Sequence, residues 1–175
     1  AHISVNAFNE YLDFRSGLDF STQRTPFSGG SGALPADPSA APLALAIAVV
    51  SFLVVAAIGL WLVALRGTVL LPLGIAGLVL VVAYTSLLTH DPYACLVAPG
   101  LGFGPLMVVG THIAVAGRYD SAAGIAALVP FFLVNALLLL NQFPDVEADR
   151  GVGRRHLPIA WGRPRAAKVF AVDVG

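Results

Sequence analysis

The sequence predicts an all-α fold, a polytopic bundle of membrane-spanning helices, and three observations carry that expectation. Hydrophobic residues make up 57% of the 175 positions and charged ones only 11%, with a mean hydropathy of +0.82. A soluble domain needs roughly 25% charged residues to clothe its surface. The charges are also so widely spaced that each of four gaps between them exceeds the roughly 20 residues that cross a hydrocarbon core. Finally, the gaps are continuous apolar runs without period-2 alternation. That excludes the closed barrel, the other architecture that satisfies the backbone in lipid. Ten basic residues balance ten acidic ones, so the chain lacks the cationic excess of a nucleic-acid binder. The single cysteine, Cys95, excludes an internal disulfide and a thiolate-built metal site.

Residues 1–37 form a polar segment whose first part reads as the end of a helix. The first gap, between Asp37 and Arg66, holds PLALAIAVVSFLVVAAIGLWLVAL and predicts a span over 43–65. The second, between Arg66 and Asp91, predicts a span over 68–89; the third, ending at Arg118, one over 94–117; the fourth, from Asp120 to Asp145, one over 121–141. Residues 142–165 are a second polar segment, and another helix starts near Ala166. Ala1 at the start, and Gly175 just as an apolar run begins, make the chain read as a transmembrane domain truncated at both ends. No charged n-region and short apolar run open it, so no secretory signal is expected. Trp61 reads as an interfacial anchor.

Four crossings are an even number, so the two polar segments must lie on the same side of the membrane. That side carries Arg15, Arg24, Arg150, Arg154, Arg155, Arg163, Arg165 and Lys168, whereas the other carries Arg66 and Arg118. The positive-inside rule makes the shared side cytoplasmic. An integral, multi-pass protein of a bacterial or archaeal cell membrane is expected.

Parity brings two acidic clusters together. In NAFNEYLDFRSGLDFS, residues Asn6, Asn9, Glu10 and Asp13 fall on one helical face. Gly17 permits a turn that returns Asp19 toward them. In NQFPDVEADRGVGRRHLP, residues Asn141, Asp145 and Asp149 have helical spacing, with Pro144 interrupting or opening a turn. Carboxylates stacked this way repel one another unless a cation lies between them. All-oxygen donors without paired histidines or thiolates point to Mg²⁺, which bridges carboxylates to phosphate oxygens. The nearby arginines suit phosphate. Together they describe a diphosphate site at the mouth of an apolar bundle, matched to a substrate with a diphosphate head and a hydrocarbon tail.

At these residues the chain resembles the UbiA superfamily of intramembrane aromatic prenyltransferases. Asn9, Glu10, Asp13 and Asp19 match the first acidic motif, and Asp145, Asp149 and Arg154 the second. NEYLDFRSGLD, RTPFSGGSGALP, FGPLMVVGT and NQFPDVEADRGVGRRHLP are most similar to the menaquinone branch, which prenylates 1,4-dihydroxy-2-naphthoate. Glu10 stands where Asp is usual and Arg154 where Lys is common. The resemblance implies a nine-helix ring, of which this chain holds the end of the second helix to the start of the seventh. It also implies Mg²⁺-assisted ionisation of a polyprenyl diphosphate and attack of an aromatic acceptor's ring carbon on the allylic cation. On that basis Asp13, Asp145 and Asp149 are catalytic; Asn9, Asp13, Asp19, Asp145 and Asp149 bind metal; Arg24, Arg154, Arg155, Asn9 and Asn141 bind diphosphate. Partners are the polyprenyl diphosphate, the aromatic acceptor and the bilayer, with no nucleic acid. Sister-branch acceptors (hydroxybenzoate, homogentisate, chlorophyllide, haem or glycerol phosphate) are the alternatives. A cation-binding transporter is the alternative from another class, disfavoured because the four spans hold no Asp, Glu, Lys or Arg.

The run from Ser28 to Gly32, SGGSG, is either a linker or a loop whose N–H groups approach the diphosphate; no P-loop lysine follows. Gly100, Gly102 and Gly104 imitate a dinucleotide fingerprint, but within a membrane helix they read as close helix packing. His90, His112, Tyr84 and Tyr93 read as packing or interfacial residues, and Tyr11 lies inside the first motif.

Overall fold

The computed structural model describes residues 1–24 and 29–175, and these contain helices and turns but no strand. Three short elements come first: α1 (His2–Ser16), α2 (Leu18–Ser21) and α3 (Ala33–Ala36). Four helices long and apolar enough to cross a membrane follow: α4 (Pro38–Arg66), α5 (Thr68–Ser86), α6 (Pro92–Ala116) and α7 (Ser121–Asn141). The second polar segment holds α8 (Val146–Gly151) and α9 (Leu157–Ala160), and α10 (Arg163–Val174) closes the chain.

The charges that punctuate the sequence also end its helices. Asp37 Oδ1 accepts from the Ser39 N–H at 3.1 Å, Asp91 Oδ1 from Tyr93 and Ala94 at 3.0 and 2.8 Å, and Asp120 Oδ1 from Ala122 at 2.8 Å. Each carboxylate satisfies N–H groups that the first turn leaves without a partner. Three spans thus begin immediately after an aspartate. Arg66 and Ala116 precede Gly67 and Gly117, whose positive φ ends the helix. The second span stops at Ser86, short of the expected 89, because Leu88–His90 form a separate 3₁₀ turn. There the Thr89 hydroxyl donates to the Thr85 carbonyl at 2.9 Å.

Small residues let the helices approach. On α1, Ser4 is fully buried and its hydroxyl donates to the Ala48 carbonyl of α4 at 2.9 Å. On α6, a Cβ at Gly100 would stand 2.4 Å from Asn135 Oδ1 and 2.5 Å from the Phe131 carbonyl; one at Gly104 would stand 2.6 Å from the Ala127 carbonyl. Asn135 Oδ1 accepts from the Gly100 N–H at 2.7 Å, so a buried polar pair fastens α6 to α7. Gly102 differs from its neighbours: nothing lies within 4 Å of the position its Cβ would take. It opens a π-helical stretch, Gly102–Val109, where Pro105 lacks an N–H and the regular ladder gives way. Leu139, Leu157 and Ala166 form a small core that ties α9 and α10 to α7. Most of the apolar surface of α4, including Leu53, Ile58 and Trp61, is exposed, as suits a helix set in lipid.

Gly100→Ala should cost about 1–3 kcal/mol, the usual range for overpacking. Gly102→Ala should change stability by less than about 1 kcal/mol, since the site is open and alanine favours a helix. Unfolding of both variants in detergent micelles checks the difference.

Candidate functional site

The site starts from a turn. Gly17, with φ of 83°, ends α1 in the left-handed conformation and reverses the chain into α2. That reversal sets Asp19 beside Asp13, one helical repeat past Asn9. At the other end α7 stops at Asn141; residues 142–145 turn, and α8 begins after Asp145. The stripe from Asn141 to Asp149 is thus interrupted at the turn that holds Pro144, the interruption the sequence led one to expect. Asp145 and Asp149 stay one turn apart, with the Asp149 N–H donating to the Asp145 carbonyl at 2.9 Å.

Four crossings later, the two clusters share a cavity of about 140 Å³. Asn9, Glu10, Asp13 and Asp19 line it from the first segment, Asp145, Asp149 and Arg154 from the second, and Gly29 and Gly30 from the loop. A second cavity of about 170 Å³ includes Thr85, Ser86 and His90 and is separated from the first by Asp13 and Arg154, which line both.

The cation that the stacked carboxylates demand is provided by the chain itself. The guanidinium of Arg154 bridges the clusters, contacting Asp13 Oδ1 and donating to Asp149 Oδ1 at 3.1 Å. Both carboxylates are buried. Asp13 Oδ2 accepts from Asn9 Nδ2 at 2.9 Å, and Asn9 Oδ1 accepts from the Thr85 hydroxyl at 3.0 Å. His156 Nε2 lies 3.0 Å from Asp149 Oδ2. A carboxylate only accepts, so Nε2 carries the hydrogen. His156 and Thr85 escaped the sequence reading. The first follows two arginines with no periodic partner, and the second lies within an apolar span, so neither left a local signal.

Burial, more than charge, sets the acid–base behaviour. Asp13 is pushed up from the ordinary 3.8 to about 6. Desolvation is the main cause, Asp19 and Asp149 add to it, and Arg154 and the Asn9 hydrogen bond oppose it. Asp19 is raised by burial and by Glu10, and Asp145 by burial and by Asp149. Among the described residues, Asp19 Oδ2 is buried without a hydrogen-bond partner.

The donor set suits a hard cation. Every unengaged donor here is oxygen, and the orphaned Asp19 oxygen lies in a carboxylate lining the cavity. Among the described residues no three acidic or imidazole side chains already gather around one point.

The remaining candidates lie further out. Arg24 is exposed, with its guanidinium packed against Gly32: a Cβ there would fall 2.0 Å from Cζ. Arg155 is exposed and its backbone N–H donates to the Thr89 carbonyl at 2.9 Å. Neither Arg155 nor Asn141 lines the cavity. Within the glycine run, Gly29, Gly30 and Gly32 all have positive φ, and the Ser31 hydroxyl donates to Glu10 Oε1 at 2.5 Å. Ser28 lies outside the described residues.

Residues 1–172 match the UbiA prenyltransferase family. A 1,4-dihydroxy-2-naphthoate octaprenyltransferase of Bacillus subtilis (strain 168) is 26% identical over 174 residues, covering 98% of this chain and 54% of that protein. The chain thus spans about half the length of this relative. No solved structure matches the chain with statistical support.

An acid whose pKa is higher folded than unfolded binds more protons when folded, so its contribution to stability is lost as pH rises. Without ligands, thermal stability should therefore fall between about pH 4 and pH 6 through Asp13. Asp13→Asn should flatten that slope in a pH series of melting curves.

Proposed function

Because the chain belongs to the UbiA prenyltransferase family, we propose that it supplies the diphosphate-binding portion of an enzyme that moves a polyprenyl group from its diphosphate to an aromatic acceptor. The observation that carries this reading is the convergence of Asp13, Asp19, Asp145 and Asp149 on one cavity beside Arg154. The acceptor we assign is 1,4-dihydroxy-2-naphthoate, supported by the naphthoate octaprenyltransferase relative and by the sequence motifs of the menaquinone branch.

Asp19 and Asp145, with Asp13 and Asp149, would hold Mg²⁺, and Asn9 would orient Asp13 through its amide. Bound there, the ion would neutralise charge developing on the departing diphosphate. Arg154 is placed to donate to diphosphate oxygens, and Arg24 stands beside the glycine loop at the mouth. Gly29 and Gly30, both with positive φ, line the same cavity. Spans whose interiors hold no Asp, Glu, Lys or Arg would give the hydrocarbon tail and the reactive carbon an environment that excludes water. The excess of basic residues on the motif side supports a cytoplasmic mouth.

Membranes containing the full-length protein, given labelled polyprenyl diphosphate, 1,4-dihydroxy-2-naphthoate and Mg²⁺, should form a lipid-soluble product, and chelation should stop it. Asp13→Asn and Asp145→Asn should each lower the rate by roughly 100-fold or more, as loss of a preorganised electrostatic group does. Extraction of labelled product into organic solvent measures both effects.

A further inference from the structure

Arg154 touches both acidic clusters. With its side chain only 16% exposed, it satisfies one oxygen of Asp13 and one of Asp149. Asn9 and His156 engage the other two. Asp13 and Asp149 are therefore saturated by the chain's own groups, whereas Asp19 Oδ2 in the same cavity has no partner among the described residues. We infer that Arg154 is an exchangeable counter-ion: it holds Asp13 and Asp149 while no ligand is bound and passes to the diphosphate as a divalent cation takes those carboxylates, so that cation and diphosphate bind with positive coupling.

The inference rests on the proposed function, in that the site takes a divalent cation together with a diphosphate. Its argument is electrostatic. A cation arriving alone must compete with a guanidinium already seated between the carboxylates. Displacing Arg154 would leave a largely buried charge with several donors and nothing to accept from them, a costly state. A diphosphate arriving alone meets Glu10, Asp13, Asp19, Asp145 and Asp149 against a single guanidinium. Arriving together, the two ligands resolve both problems. The cation replaces Arg154 on the carboxylates, and the diphosphate oxygens accept the hydrogen bonds that Arg154 gives up. Either ligand thus lowers the cost of binding the other, and linkage makes the effect reciprocal.

The test uses full-length protein in lipid nanodiscs, with Mn²⁺ as the probe and free ion counted by electron paramagnetic resonance. Titrations run with and without a non-hydrolysable alkyl diphosphonate, whose own Mn²⁺ affinity is subtracted from a protein-free blank. In the wild type the diphosphonate should tighten Mn²⁺ binding by roughly tenfold or more, and Arg154→Gln should tighten binding of Mn²⁺ alone by a similar factor while most of the coupling disappears. Arg154→Lys should fall between, since an ammonium is a point charge that does not span two carboxylates. Equal wild-type affinities with and without the diphosphonate would overturn the inference, and that comparison stands even where the glutamine variant does not fold. Unchanged affinity for Mn²⁺ alone in a folded Arg154→Gln would overturn it as well, while leaving the proposed function intact. Absence of Mn²⁺ binding under every condition would remove both the inference and the metal-dependent reading beneath it.

Discussion

A single guanidinium between Asp13 and Asp149 joins the beginning of this chain to its end, and the rest of the structure is arranged so that the contact can form. Two buried carboxylates in a low-dielectric setting repel strongly, and a cation between them relieves that repulsion. Reaching that arrangement requires an even number of crossings, so that both polar segments return to one side. It requires the left-handed Gly17, which folds Asp19 back toward Asp13. It also requires α7 to stop at Asn141, because a straight continuation would carry Asp145 and Asp149 away along the helix axis. The turn at residues 142–145 and the short α8 redirect them instead.

The spans supply the complementary half of the design. Burying apolar side chains against one another gains little in lipid, because lipid tails are equally apolar; contact must come from close fit and internal hydrogen bonds. Ser4 against Ala48, and Gly100 and Gly104 against α7, are such contacts. The Asn135 side chain is tolerated within α7 because the Gly100 N–H satisfies its oxygen. With Asp, Glu, Lys and Arg kept out of the span interiors, the electrostatic cost is concentrated at the mouth. There Arg154, Asn9 and His156 offset part of it, and the raised pKa of Asp13 records the part they leave.

What the sequence made legible was whatever follows from spacing. Charge-free gaps located the four helices, parity placed both motifs together, and helical spacing put Asn9 and Asp13 on one face, where a hydrogen bond joins them. Arginines near carboxylates also pointed to Arg154. Its partners, however, did not follow from spacing, since Asp13 lies 141 positions away and only the packed fold brings it within reach. His156 and Thr85 escaped for the same reason, as each acts through a tertiary contact with no periodic signature. Gly102 shows the converse error. Its spacing placed it with Gly100 and Gly104, but the π-helical stretch that it opens leaves its own face open.

The imbalance of charge in the cavity also limits what can enter. Five carboxylates face one guanidinium among its lining residues, so a free phosphate or a fatty acid arrives as an anion in a negative field with no metal-bridging geometry to offset it. A diphosphate accompanied by a cation arrives nearly neutral and offers oxygens to both the ion and the arginine. On the proposed function, the same residues would reject the bare anion and accept the complex, so discrimination would come as much from the unfavourable encounter as from the favourable one. The hydrocarbon tail adds its own selection, because a water-soluble diphosphate has nothing to place against the apolar spans. On the proposed function, a cluster that looks excessive for holding one ion would be matched to a substrate that brings opposing charges with it.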